Sequence, residues 1–187
     1  DKIYAIFHVE DSVLSLRGIA VDWESLEGFL MRTDEMFPVE SLQFLDLDPR
    51  IVVAEVKEAT AAFMGVDVYS LANEPFKFEE AILVDGDGNY YGETVFKLDD
   101  ETPGYVKMES KIFSRIFGEF SPSRGDLVFS KAGDLLGIMV NNSYCALIDS
   151  FLTAGEVKFG EKIGDQKTSK ILNAMKSRLS PLPPQLQ

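Results

Sequence analysis

Residues 121–140 read SPSRGDLVFSKAGDLLGIMV. Within them, 127–129 and 135–140 are apolar runs of strand length, and Ala132, Gly133 and Asp134 between them are turn formers. The combination predicts a β-hairpin. The same pattern recurs outward in both directions, in runs at 3–7, 18–21, 28–31, 51–56, 66–71, 81–84, 91–96, 105–108 and 144–148. Gly, Asp, Asn and Ser punctuate them, and a second hairpin is predicted at Asp85, Gly86, Asp87, Gly88 and Asn89. About a dozen short strands with no long helical period argue for a barrel or sandwich and against a βαβ fold. One helix is predicted near the end, with Thr168 as N-cap, Ile171, Leu172, Met175 and Leu179 on one face, and Pro181 as its stop. The tail 181–187 that follows is predicted to be extended or disordered.

Composition narrows the function classes. The chain has 187 residues, with 18 Lys and Arg against 31 Asp and Glu, a formal net charge of −13. Such a surface repels phosphate backbones and anionic lipid, so nucleic acid is not an expected partner. Mean hydropathy is near zero, and no apolar run approaches the ~20 residues of a membrane span. Cys145 is the sole cysteine, which rules out a disulfide within the chain and any zinc site built on several thiolates. No metal or cofactor is expected. The chain starts at Asp1 without an initiator Met or a signal-peptide core, which reads as a processed or excised piece.

The stretch at 121–140 also resembles the nucleophile segment of trypsin-like serine proteases, where a GDSGGPL-type loop enters a strand, a turn and a G-x-L-x-G-I strand. The resemblance puts Ser123 at the nucleophile position, Gly125 at the second glycine after it, and Asp126 where proline usually stands. GFLMRTDEM at 28–36 is similar to the family's first hairpin, which ends in the catalytic histidine; Glu35 falls at that position. LDLDPRIVVAEV at 45–56 resembles the strand that supplies the orienting aspartate, and Arg50 stands there. MGVDVYSLANEP at 64–75 looks like the G-D-x-V strand and turn that opens the second barrel. The resemblance therefore implies an all-β fold of two antiparallel six-stranded-type barrels. It divides the chain into 1–62, 63–166, a C-terminal helix at 167–180 and the tail, and it implies export from the cytoplasm.

The same resemblance implies lost chemistry. A serine hydroxyl is a weak nucleophile without an adjacent base, and neither Glu35 nor Arg50 supplies the base or the orienter. Ser121 and Pro122 replace the glycine and aspartate that normally precede the serine, and proline fixes φ and removes an N–H. The short interval between Glu35 and Arg50 implies a trimmed first barrel. The expectation is a catalytically inactive homologue serving as a binding or scaffolding module for extended peptides. The alternative is an active endopeptidase using Ser123 with another base, and His8, the only histidine, is the candidate within FHVED.

Other motifs have plainer readings. Arg124, Gly125 and Asp126 spell RGD, an adhesion tripeptide when exposed, but a turn is needed here anyway. DGDGN resembles the start of a calcium loop, although Tyr90 stands where an EF-hand requires glycine and Phe96 where it requires the bidentate glutamate. Asp99, Asp100 and Glu101 read as a solvated face. Phe113, Ile116, Phe117 and Phe120 read as packing residues, and Trp23 as a surface-contact candidate in a polar hairpin. His8 itself reads as a half-buried or exposed strand residue if it has no catalytic role.

Overall fold

The computed structural model describes residues 2–86, 88, 91–98, 100–110 and 122–187, with the backbone alone at 91, 109 and 110. Among these, the chain forms β1 (Ile3–His8), β2 (Gly28–Arg32), β3 (Glu35–Val39), β4 (Ser41–Leu45), β5 (Ile51–Val56) and α1 (Glu58–Met64). β6 (Glu80–Val84), β7 (Tyr91–Leu98), β8 (Tyr105–Ser110), β9 (Leu127–Phe129), β10 (Leu135–Met139) and β11 (Tyr144–Leu147) follow, then β12 (Thr153–Lys158) and α2 (Thr168–Leu179). The fold is mostly β. It separates into two compact units, one of Asp1–Val68 with Leu152–Leu182, the other of Tyr69–Phe151 with Pro183–Gln187. No helix among the described residues is long and apolar enough to cross a membrane.

The first unit is built on an open sheet in the order β1-β5-β4-β12. β5 is central because Ile51, Val52, Val53 and Ala54 are apolar on both faces, and all four are fully buried, as a strand covered on both sides requires. Phe44, Val52, Ala54, Leu42 and Val157 share one face and pack with Leu172 and Met175 of α2. β2 and β3 pair only with each other as a separate hairpin. The residues expected to close a first barrel thus form an open sheet and a hairpin. Closure would need a strand pairing across from β1 to β12. At the β12 side, the Gln166 side chain takes both polar groups of Lys158, accepting from its N–H at 2.9 Å and donating to its C=O at 2.8 Å.

The second unit is a closed antiparallel barrel in the order β10-β11-β8-β7-β6-β9, with β9 returning to β10. Three consecutive strands, β6 to β8, followed by β9 back beside β6, make a Greek key. Val106, Val128, Leu136, Met139 and Cys145 fill the interior. At Gly137 the barrel wall is too close for any side chain: a Cβ there would lie 2.2 Å from the Ala146 carbonyl oxygen and 2.6 Å from the Cys145 sulfur.

Several local expectations change. Residues 18–21 form no strand; the Val21 carbonyl instead accepts the Thr168 hydroxyl at 2.9 Å. Residues 66–71 contribute a single bridge, Leu71 to Leu135. Thr168 does not cap α2; its hydroxyl is buried and also accepts the Trp23 N–H at 3.0 Å. Asp22 serves the helix start from outside, its carboxylate accepting the Ser169 N–H at 3.0 Å, and those Ser169 bonds hold the Asp22 carboxyl below its ordinary value. The tail is ordered at its end: Pro184–Leu186 makes a 3₁₀ turn, Leu186 is fully buried, and the Gln185 carbonyl accepts from Asn141 at 3.0 Å.

Candidate functional site

The Ser123 loop is a tight turn leading into β9. The Asp126 N–H donates to the Ser123 carbonyl at 3.1 Å, and Gly125 at its third position has φ 91°. That is the type II arrangement, which needs a residue tolerant of positive φ there. The Gly125 N–H donates to Met139 and the Met139 N–H to Asp126, both at 2.8 Å, so β10 holds the turn. Ser123 is exposed and Asp126 is buried.

Asp126 decides what this loop can do. Its carboxylate reaches back and accepts the Ser123 N–H at 2.7 Å. In the trypsin-like arrangement that the sequence resembles, the N–H of the nucleophile residue is one of two donors to the oxyanion, and here it already holds an anion belonging to the chain. Burial pushes the Asp126 carboxyl above its ordinary value, the Ser123 N–H pulls against that, and the negative charge of Asp85 adds to the rise. The second donor, on Ser121, lies outside the described residues. Among the described residues of the barrel unit, the Ser123 hydroxyl makes no hydrogen bond. The RGD tripeptide is absorbed by the same turn, since Asp126 is turned inward and Arg124 is half-buried.

The other two triad positions lie in the sheet-bearing unit. Glu35 opens β3 at the exposed tip of the hairpin. Arg50 is buried and bound to Asp48, with Nε to Oδ1 at 3.0 Å and the terminal nitrogen to Oδ2 at 2.6 Å. Asp48 has no exposed surface, so the guanidinium is the counter-charge that makes its burial tolerable. Arg50 is a structural cation. His8 is 1% exposed, deeper than a half-buried strand position, and its Nδ1 accepts the Glu10 N–H at 3.2 Å. That bond fixes the proton of a neutral ring on Nε2.

The remaining motifs are structural where they are described. Gly88 donates to the Asp85 carbonyl at 3.0 Å in the turn joining β6 and β7, and Phe96, where a calcium loop would need its glutamate, points into the barrel core. Asp100 and Glu101 are exposed between β7 and β8. Asp99, Tyr90 and residues 111–121, with Phe113, Ile116, Phe117 and Phe120, lie outside the described residues. Cys145 is fully buried, and desolvation raises its thiol pKa far above the ordinary value, so it is unreactive. Trp23 is partly buried against the core of the sheet unit.

What sequence reading missed is the edge of β1. The Val9 N–H donates to the Arg50 carbonyl at 2.6 Å, while the Ile51 N–H turns to Asp48. Antiparallel ladders alternate, so with Ile3 opposite Val56 and His8 opposite Ile51, residues 3, 5 and 7 bond β5. Tyr4 and Ile6 therefore aim their N–H and C=O groups away from β5, whereas His8, on the same side of the strand, is enclosed. The strand reads IYAIFH, in unbroken register, without proline, internal lysine or bulge. These are the devices by which edges are normally blocked. Its signal in sequence was the apolar run at 3–7, which fixes a strand but not its place in the sheet.

No family profile, curated protein or solved structure matches the chain.

Proposed function

We propose that this protein is a catalytically inactive homologue of trypsin-like proteases, a module that binds an extended peptide by strand addition along β1. The observation that carries the reading is an apolar edge strand in unbroken register with a row of backbone groups, Ile6 at its middle, turned away from β5. Such a row gives affinity through main-chain hydrogen bonds, and side-chain pockets then give selectivity. Two further observations support the absence of catalysis. The exposed Ser123 has its own N–H bound to the Asp126 carboxylate, and the sole imidazole is buried with Nδ1 engaged. The closed Greek-key barrel is in keeping with a protease-like ancestry of the second unit.

The test has two arms. A fluorophosphonate probe incubated with the folded chain is expected to leave Ser123 unlabelled; labelling there overturns the inactive reading. Extended peptides screened on an array are expected to yield a saturable ligand whose binding is lost in Ile6→Pro. That change removes an outward N–H at an edge position where proline is tolerated, and circular dichroism checks the fold. Tyr4→Pro provides the same test one pair away. The absence of any saturable ligand, or unchanged binding in both folded variants, overturns strand addition.

A further inference from the structure

The sheet-bearing unit holds a pocket of about 190 Å³ between the sheet and the β2–β3 hairpin. Phe7, Ala54 and Leu42 form its floor, and Leu14, Leu30 and Phe159 contribute walls. The floor follows from the register. Ala5 lies opposite Ala54 and Phe44 opposite Val52, which sets Phe7, Ala54 and Leu42 on one face of the sheet. The Phe159 wall depends on Gly28, where a Cβ would come within 2.5 Å of the ring. An apolar cavity of roughly 150 Å³ suffices for a benzene ring, so this one has room for an aromatic or branched aliphatic group.

Its charge is one-sided. Asp11 and Glu27 are exposed residues of the lining, and among the described residues no Lys, Arg or His lines the pocket. In a chain of net charge −13, an approaching cation is favoured over an anion. Phe7 belongs to both the pocket and β1. A strand added to β1 would lie about 4.8 Å away, with one of its side chains beside Phe7 on the pocket face.

We propose that this pocket receives a bulky apolar side chain, aromatic or branched, from an extended segment that carries a positive charge next to it. The inference rests on the strand-addition reading for the source of that side chain, whereas the pocket is testable by itself. The full chain is titrated with phenethylammonium and with 3-phenylpropionate, following the amide resonances of Phe7, Leu30 and Phe159. The expected result is saturable shifts with the ammonium compound and at least tenfold weaker binding of the carboxylate.

Ala54→Leu, which fills the floor, is expected to abolish both sets of shifts. Glu27→Lys leaves the core untouched and is expected to erase the preference for the cation. No saturable shift in the folded wild type, or unchanged binding in a folded Ala54→Leu protein, overturns the pocket. Equal affinity for the two probes, unmoved by Glu27→Lys, overturns the charge preference. A peptide of alternating Lys and Phe, compared with its backbone N-methylated form, separates the two readings. If both forms give the same pocket shifts, the pocket stands and strand addition falls. If phenethylammonium binds but neither peptide does, the peptide as the source of the group is overturned.

Discussion

The barrel of the second unit and the sheet of the first are made from the same kind of strand, yet one exposes no edge and the other has two. The barrel achieves this by pairing β9 with both β6 and β10, which leaves every strand with two neighbours. The sheet ends in β1 and β12, and its two ends are treated differently. At β12 the ladder is bulged near Thr153 and Gly155, α2 packs beside it, and the Gln166 amide occupies Lys158. β1 runs in unbroken register and carries no bulge. The two ends of one sheet thus differ in what is built onto them: a bulge, a helix and an amide at β12, and an unbroken ladder at β1.

The largest effect expected from breaking this comparison comes from the sheet unit. Arg50→Ala leaves Asp48 buried without its cation, and the sheet is expected to lose about 3–5 kcal/mol in urea unfolding. Hydrogen exchange should place the loss in β1, β4 and β5. In the barrel, Gly137→Ala drives a Cβ into the Ala146 carbonyl, an overpacking expected to cost about 1–3 kcal/mol, with faster exchange in β10 and β11. If the two substitutions loosen the same strands, the contrast between the two units fails.

A smaller change sharpens the contrast between the edges. Gln166→Ala removes both bonds to Lys158 and is expected to cost about 1 kcal/mol. It is also expected to produce concentration-dependent dimers in sedimentation, as a second edge becomes available. Monomeric behaviour at every concentration would show that α2 and the bulge guard β12 without the glutamine.

The smallest effect concerns the turn at Ser123. The Asp126 carboxyl is raised above its ordinary value of 3.8. The folded state therefore binds its proton more tightly, and the stability from this group is present at low pH and lost as pH climbs through the folded value. Asp126→Asn removes that dependence. Wild type is expected to gain on the variant as pH falls from the raised folded value toward 3.8, with the gain complete below 3.8, measured by urea midpoints of both proteins across pH 3 to 7. A pH-independent difference between them sinks the assignment.

Strands whose burial is written in continuous apolar runs were legible. Ile51 to Val56 and Leu135 to Met139 announced themselves because apolar residues on both faces have few other uses. β12 was hidden, since TAGEVK contains a glycine that looks like a loop and is a strand only because β4 pairs with it and Met175 packs on Gly155. Residues 18–21 erred the other way: they have strand composition, yet Ile19 is 94% exposed and the backbone is tied to Thr168 instead of a neighbouring strand. For the site, the sequence put Asp126 in an unusual place beside Ser123. It could not show the carboxylate curling back to the amide, because that contact depends on the φ of Gly125. The pairing of Asp48 with Arg50 was available two residues apart, but the family resemblance drew attention to Arg50 as a displaced triad member.

The path of the chain through the sheet has a consequence in time. β4 is finished at Leu45, whereas its partner β12 does not begin until Thr153, about a hundred residues later. At ribosomal rates of roughly 5–20 residues per second, β4 waits some 5–20 s for its neighbour, while all six strands of the barrel emerge in between. During synthesis the bare side of the nascent sheet is therefore β4 as well as β1, and the order of emergence favours a barrel that matures before the sheet that precedes it.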